Sequence, residues 1–489
     1  MTNNFPSLAG NWIDGFDIPS GDGSVFDNLS PHDGTVLCRC ARSNENDVDQ
    51  AVQAARAAWP HWSRTNPVRR GQLLYDLVLG MKARREVIAD IVAAETGKAP
   101  RDALGETDGA IALGLFYAGE GQRMYGRTTT SGVDNKTAMT VREPIGVAGL
   151  IVSANTPIAN VAWKIFPAMV CGNTVILKAP EDSPTTAWIV GKIAKEVGFP
   201  DGVLNIIQGY GTEAGVPLVE NHDVDVLSFT GSTVVGKQIA AIMARRLGRV
   251  SLELGGKNAL VVCDDADMDN AIKWAVLSAF SNAGQRCAAA SRIIVFDSVY
   301  DEFRDRFVAA AKRLSVGPTN DDDLGPVINK RQLDNMAAAV NRAVERGAIL
   351  LAGGRPLDGP GHAKGSYMAP TILEGVAPDD ELSTTEVFGP ITALYKARDI
   401  EEAIKLVNDS PYGLTASIHT QSVHRSSEFT RRARTGVVTI NAGTYGSEPH
   451  MPFGGLKLSG NGTREPGTEA LDIYSTLKSV YTATLPELI

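Results

Sequence analysis

The chain has 489 residues, 43% of them apolar and 21% charged, with a net charge of −9 and no long block of like charge. At about 150 residues per domain this describes a folded protein of roughly three domain lengths, not a disordered or fibrous one. It also excludes the basic face that a nucleic acid or an anionic membrane would need, so neither is an expected partner.

Val48, Val52, Ala55 and Trp59 recur at helical spacing, which predicts a helix over 47–59 ended by Pro60. Further helices are expected over 68–95 and about 103–119. The segment 127–142, rich in Thr around a Gly and an Asn turn, reads as a β hairpin. Then the period changes. Short apolar runs at 147–153, 174–178, 203–207 and 224–229 alternate with helices over 162–170 and from Ser183-Pro184 to Gly198. A second series begins at Asn258, with a strand over 259–262, a helix from about Met268, a strand over 293–296 and further alternation to about Ile440. Such alternation builds parallel sheets covered on both faces, so the expected class is α/β.

The cysteines are Cys38, Cys40, Cys171, Cys263 and Cys287, few and irregularly spaced, which fits a reducing compartment. The Cys38/Cys40 pair lacks the second pair a zinc site needs, and no structural metal is expected. The N-terminus lacks the regions of a signal peptide and no apolar stretch approaches the roughly 20 residues of a membrane span, so a cytoplasmic location is expected.

Two short motifs carry chemistry. Cys287, in Gly284-Gln285-Arg286-Cys287, sits in an irregular polar turn, with the small Ala288 to Ala290 leaving space beside the sulfur. A neighbouring cation there favours the reactive thiolate. Glu253, in Leu252-Glu253-Leu254-Gly255-Gly256, is placed among apolar neighbours that would desolvate a carboxylate and raise its pKa toward that of a general base; the plain alternative is an exposed strand-end Glu.

For a dinucleotide, Gly209-Tyr-Gly211-Thr-Glu-Ala-Gly215 is one residue too long for the usual fingerprint and reads as a simple turn. Phe229-Thr-Gly231-Ser232-Thr233-Val-Val-Gly236 lies between a strand and a helix starting near Thr233, where backbone N–H groups and the Ser232 hydroxyl suit a pyrophosphate. Lys178 ends a strand, and Glu181 beyond it either accepts the hydroxyls of an adenosine ribose, disfavouring a 2′-phosphate, or belongs to a solvated charge pair.

Together these segments resemble the NAD(P)-dependent aldehyde dehydrogenase superfamily, hydrolytic type, over essentially the whole chain. The matching segments are Phe280-x-x-x-Gly284-Gln285-x-Cys287, Leu252 to Gly256, Phe229 to Thr233, Glu386-Val-Phe388-Gly389-Pro390 and Pro452-Phe453-Gly454-Gly455. The resemblance implies two doubly wound Rossmann-like domains with a β-hairpin oligomerisation arm. Residues 1–126 and 143–254 would bind NAD, 255–442 would carry the nucleophile, 127–142 and 470–489 would form the arm of a homodimer or homotetramer, and 443–469 would return to the active-site mouth.

The resemblance further implies NAD as cofactor, in preference to NADP, held by Lys178, Glu181, Gly231, Ser232, Gly236, Leu254, Glu386 and Phe388. It implies catalysis of aldehyde oxidation to the acid by Cys287, Glu253 and the oxyanion donor Asn155, with Lys164 and Glu465 relaying protons. The substrate pocket would hold Thr156, Asn160, Trp163, Phe280, Arg286, Ala288, His450 and Phe453. Thr156 and Asn160 stand where the family often has bulkier or apolar side chains, and the tail carries an added Thr463 before Glu465. A pocket with such polar groups leans toward a polar aldehyde or semialdehyde. The alternatives are transfer of the acyl group to coenzyme A, a Cys-dependent hydrolase, or a binding protein that kept the fold without turnover.

Overall fold

Two seven-stranded sheets, packed so that the carboxyl edge of one faces the amino edge of the other, organise the chain in a computed structural model that describes residues 4–485. In the first sheet the parallel strands run in the order Arg249–Glu253, Val226–Thr230, Val147–Ile151, Thr174–Lys178, Leu204–Ile207, and Asn11–Ile13 and Phe16–Ile18 extend it antiparallel. Chain order reverses between Val147–Ile151 and Val226–Thr230, so a crevice opens beyond the carboxyl ends of those two strands, where open α/β sheets take their ligands. These strands are buried almost throughout, as strands covered by helices on both faces must be.

The second sheet is ordered Ile349–Ala352, Thr371–Glu374, Ile391–Ala397, Ala290–Phe296, Asn258–Val262, Thr415–His419, Val437–Ile440, parallel apart from its first strand. Only Leu254 to Lys257 separate the last parallel strand of the first sheet from the first of the second. Both sheets are of the doubly wound α/β type.

Segment 127–142 forms Thr128–Thr130 and most of Lys136–Pro144, and the latter pairs with Ser475–Ala483 from the far end of the chain. This third sheet exposes Met139, Leu477 and Tyr481. The end of the expected arm, 486–489, lies outside the described residues.

Several boundaries differ from expectation. The first helix, Glu45–Arg64, runs through Pro60; it is started by a capping box between Asn44 and Asp47 and closes at Thr65. The block 68–95 is two helices, Pro67–Ala83 and Arg85–Thr96, broken at Arg84. The helix expected over 162–170 begins at Pro157, whose fixed φ suits the first turn, and so carries Asn160, Trp163 and Lys164 together. Ser183 does precede its helix, but its hydroxyl makes no capping bond.

Phe280 is a correction. It is fully buried, stacked on Phe307 at a centroid distance of 5.8 Å, and belongs to the core under the second sheet, not to the substrate pocket. Its motif spacing placed it near Cys287 in sequence, but the face it turns is set by the helix Tyr300–Lys312. Phe280→Ala should therefore cost about 3–5 kcal/mol of stability, the range for truncating a buried Phe. Chemical denaturation checks this, with KM for aldehyde in the folded fraction expected to change little.

Candidate active site

Three chain segments converge where the two sheets meet. Val147–Ile151 delivers Asn155 just beyond its carboxyl end, Arg249–Glu253 ends on Glu253, and Cys287 lies immediately before the strand Ala290–Phe296. Asn258 fixes the last of these, its amide donating to the carbonyls of Cys287 (2.7 Å) and Ala289 (2.9 Å) and accepting from Thr415 N–H (3.0 Å).

The approach to Cys287 is strained. Asn282, Ala283 and Gly284 all have positive φ, at 55°, 51° and 67°, and a side chain at Gly284 would run into the Gly389 carbonyl. Two non-glycine residues in this region are held only because the surroundings over-determine them. Asn282 Nδ2 donates to the carbonyls of Asn155 (3.2 Å) and Gln285 (3.1 Å), and Ile328 N–H donates to Gln285 Oε1 (2.8 Å).

Cys287 is half-buried beside an apolar patch of Ala288, Leu414 and Phe453, flanked by Trp163 and Tyr445; Trp163 and Phe453 meet edge to face at 5.4 Å. Burial pushes its thiol up to about 12; the carboxylates of Glu386 and Glu253 push the same way, and Arg286 opposes them. The Asn155 amide is held from both ends: Ser153 Oγ donates to its Oδ1 (2.8 Å), and its Nδ2 donates to the Gln285 carbonyl (2.9 Å). A primary amide has two N–H bonds, so a second donor is left for a ligand.

Glu253 is buried, not an exposed strand end, and neither carboxylate oxygen has a hydrogen-bond partner among the described residues. Burial, then repulsion from Glu465, raises its pKa well above the ordinary carboxylate range, against opposing pulls from Lys164 and Arg464. The tail clamps the backbone around it: Gly460 bridges Glu253, and Leu254 N–H donates to the Ser459 carbonyl (3.0 Å).

Behind Glu253 lies a sealed polar network. The Lys164 ammonium donates to Glu465 (2.9 Å) and Ser228 Oγ (2.6 Å); Ser228, Ser251 and Tyr474 hydroxyls donate to Glu465 at 2.7, 3.3 and 3.2 Å. Thr463 does not displace Glu465; its hydroxyl joins Ser251 at 2.9 Å.

Lys178, Glu181, Gly231 and Ser232 lie at or just past the carboxyl ends of the first-sheet strands Thr174–Lys178 and Val226–Thr230, and Glu386 and Phe388 precede the second-sheet strand Ile391–Ala397. Lys178 and Glu181 pair at 2.8 Å; burial alone would raise the Glu181 carboxyl, but the Lys178 charge and hydrogen bond hold it below its ordinary value. Ser232 caps the helix Thr233–Arg245 and is exposed beside Gly231. A Cβ at Gly236 would lie 2.5 Å from Leu254, whose side chain is buried there. Glu386 accepts from Gly256 N–H (2.9 Å) and burial raises it to about 7, while Phe388 follows in a left-handed conformation at φ 61°. An exposed helix start, a ribose-height carboxylate and a buried acid at the nucleophile's edge fit a dinucleotide.

In front of Cys287 a cavity of about 510 Å³ opens to the surface. Thr156, Trp163, Arg286, Ala288 and Phe453 line it as expected. Asn160 and His450 do not, and both are corrections. Asn160 is buried and turned inward, donating to Ser153 O and Oγ at 3.2 and 3.0 Å; His450 is exposed, with Glu448 3.6 Å away and lining the mouth in its place. The sequence reading missed the opposite wall, Lys98, Arg101 and Glu106 with Leu113, from the segment entering the helix Pro100–Glu120 and the helix itself. Glu106 pairs with Lys98 and accepts from Ile158 and Ala159 N–H groups, anchoring the helix that carries Trp163 and Lys164. Among the described residues no cluster has the make-up of a metal site.

This architecture belongs to a known class: the aldehyde dehydrogenase family profile matches residues 18–480. The chain is 36% identical over 96% of its length to an alpha-ketoglutaric semialdehyde dehydrogenase of Bacillus subtilis, covering 97% of that protein. It is 38% identical over 94% of its length to mouse retinaldehyde dehydrogenase 3, covering 90% of it. A Staphylococcus aureus betaine aldehyde dehydrogenase, solved with NAD+, superposes with a TM-score of 0.94 at 30% identity, covering 98% of this chain and 96% of that one. The chain is a member of the aldehyde dehydrogenase family.

Breaking the buried ion pair from one side strands the other charge. Lys164→Met should lower stability by about 3–5 kcal/mol, as measured by urea unfolding.

Proposed function

We propose that this protein oxidises a polar aldehyde or semialdehyde to its acid with NAD+, using Cys287 as nucleophile and Glu253 as base. The observation that carries this is the buried Glu253 carboxylate, without a hydrogen-bond partner among the described residues and close enough to Cys287 for its charge to push the thiol up. Cys287 loses its thiol proton to the ionised Glu253 carboxylate, which passes it to water, and Sγ adds to the carbonyl carbon; the resulting oxyanion takes the free Asn155 N–H and the Cys287 backbone N–H. NAD+, held by the residues named below, would supply the hydride acceptor, and loss of hydride from the tetrahedral carbon would leave a thioester on Cys287. Glu253 then takes a proton from water, which attacks the thioester and frees the acid. Lys164 and Glu465 act on that proton through their charges, Lys164 favouring the ionised and Glu465 the protonated form of Glu253, and the proton leaves Glu253 through water. A buried base of this kind is superfluous for transfer to coenzyme A or for a protein without turnover.

Gly231, Ser232 and Gly236 receive the pyrophosphate, Lys178 and Glu181 the adenosine ribose, and Leu254, Glu386 and Phe388 the nicotinamide end. Residues 1–126 with 143–254, and 255–442, act as the NAD-binding and catalytic domains, 443–469 returning between them. The lean toward polar substrates rests on the charged cavity wall and on the semialdehyde named for the B. subtilis relative. The exposed apolar side chains of the third sheet favour pairing with a second copy, in a homodimer or homotetramer. Among the described residues no helix is long and apolar enough to cross a membrane; a cytoplasmic location fits the free thiols.

Cys287→Ser should abolish NADH formation. Glu253→Gln should instead give a single burst of NADH and then stall with the acyl group on residue 287, seen by mass spectrometry. In the native protein hydrolysis should rise with pH through a value above the usual carboxylate range, since only ionised Glu253 accepts a proton; label elsewhere, or a pH profile unchanged by Glu253→Gln, contradicts the scheme. For the cofactor, kcat/KM should favour NAD over NADP, and Glu181→Ala should narrow that gap by about 10-fold or more, the scale of a lost charged hydrogen bond. Native preference for NADP would overturn the assignment.

A further inference from the structure

The cavity in front of Cys287 holds three cations, and only one is uncommitted. Lys98 pairs with Glu106 and donates to the Asn155 carbonyl (2.9 Å), and Arg101 donates to the Asp322 carbonyl (3.0 Å). The carboxylates are similarly placed: Glu106 serves Lys98 and two backbone N–H groups, Asp102 lies beside Lys98, and Glu448 faces His450. Arg286 is different. Its guanidinium lies over the Tyr445 ring at 4.8 Å, and among the described residues it makes no ion pair and no side-chain hydrogen bond; its Nε is buried without a partner. It lines the cavity next to the nucleophile, and its charge reaches both the Cys287 thiol and the Lys98 ammonium.

A forked donor lying over an aromatic ring, with none of its side-chain N–H groups hydrogen-bonded among the described residues, is preorganised to take a carboxylate on its terminal N–H groups. The cavity that holds Arg286 and Cys287 also has apolar lining from Trp163, Phe453, Leu113 and Ala288, against which a few methylenes can pack. We propose that Arg286 is the receptor for a carboxylate at the far end of the aldehyde, so that the preferred substrates are short oxo-acids with an aldehyde at one end and an acid at the other. This rests on the Cys287 chemistry proposed above and names the substrate class of that same cavity.

Glutaric semialdehyde and its methyl ester share length and aldehyde but differ in the distal charge, so the ratio of their kcat/KM values isolates the receptor; any effect of Arg286 on the thiol is common to both and cancels. In the native protein the acid should be favoured by about 100-fold, the scale expected when a site's charged donors are left unpaired by the wrong ligand. Arg286→Gln should bring the ratio to within a few-fold of one, and Arg286→Lys, which keeps the charge without the fork, should fall between. The lysine variant and the native ratio decide the matter even if the glutamine variant does not fold. A native ratio near one, with acyl adduct still forming on Cys287, overturns the receptor and leaves the oxidation standing. A ratio that survives in Arg286→Gln, both substrates slowing together, also overturns it by reducing Arg286 to a modifier of the thiol. No NADH from either substrate sinks the parent reading and the receptor together.

Discussion

The short crossing from Leu254 to Lys257 is the constraint on which the site depends. It joins two sheets whose strands must pass within a few ångströms of each other, and it leaves no room for side chains. A Cβ at Gly256 would lie 2.4 Å from the Cys287 carbonyl, and one at Gly255 would lie 2.0 Å from Glu386. Because both positions are glycine, Glu253 at one end of the crossing and Asn258 at the other are brought against the nucleophile's turn. Asn258 then uses its whole amide to lock that turn to the second sheet. Base, nucleophile and cofactor acid are thus positioned by backbone packing, which is stiffer than any side-chain contact.

Desolvation at this junction moves Glu253, Glu386, Cys287 and Lys257 toward their neutral forms. Glu253 and Glu386 are raised, the Cys287 thiol is raised, and burial draws the Lys257 ammonium down to about 7, helped by repulsion from Arg292. The resting site is therefore poor in charge, while the chemistry needs a thiolate and later a carboxylate. A cationic ligand in the crevice supplies the missing balance for the first, since an added positive charge stabilises the thiolate more strongly in a dry site than in water. The buried Lys164 and Glu465 pair sits close enough to Glu253 to matter for the second, because its two charges act on Glu253 in opposite senses.

The parts of the site that were legible in the sequence are those made by one contiguous segment. Glycines bracketing Glu253, a polar run before Cys287 and a Ser at a strand-to-helix turn announce backbone that must turn tightly or approach a ligand, and these landed where expected. What was not legible depends on elements far apart in the chain. Lys98 and Glu106 look like ordinary surface charges until the helix Pro100–Glu120 is laid against the one carrying Trp163. Phe280 shares a motif with Cys287, yet its ring faces Phe307, a choice made by a helix that begins some turns later. The family resemblance places Asn160 in the pocket beside Thr156; in the structure its amide reaches back to Ser153 and stiffens the loop holding Asn155.

That inward turn of Asn160 changes how the pocket's polarity arises. Its Nδ2 is spent on Ser153, Asn155 and Thr156, and so it helps hold the Asn155 amide in place. Polarity facing the cavity then comes from the wall opposite the helix and from Arg286, so chemical preference and catalytic alignment are carried by different residues. On the reading proposed above, substrate preference in this chain rests on charges in the cavity wall, while the glycine-limited crossing from Leu254 to Lys257 sets Glu253 and Asn258 against the Cys287 turn.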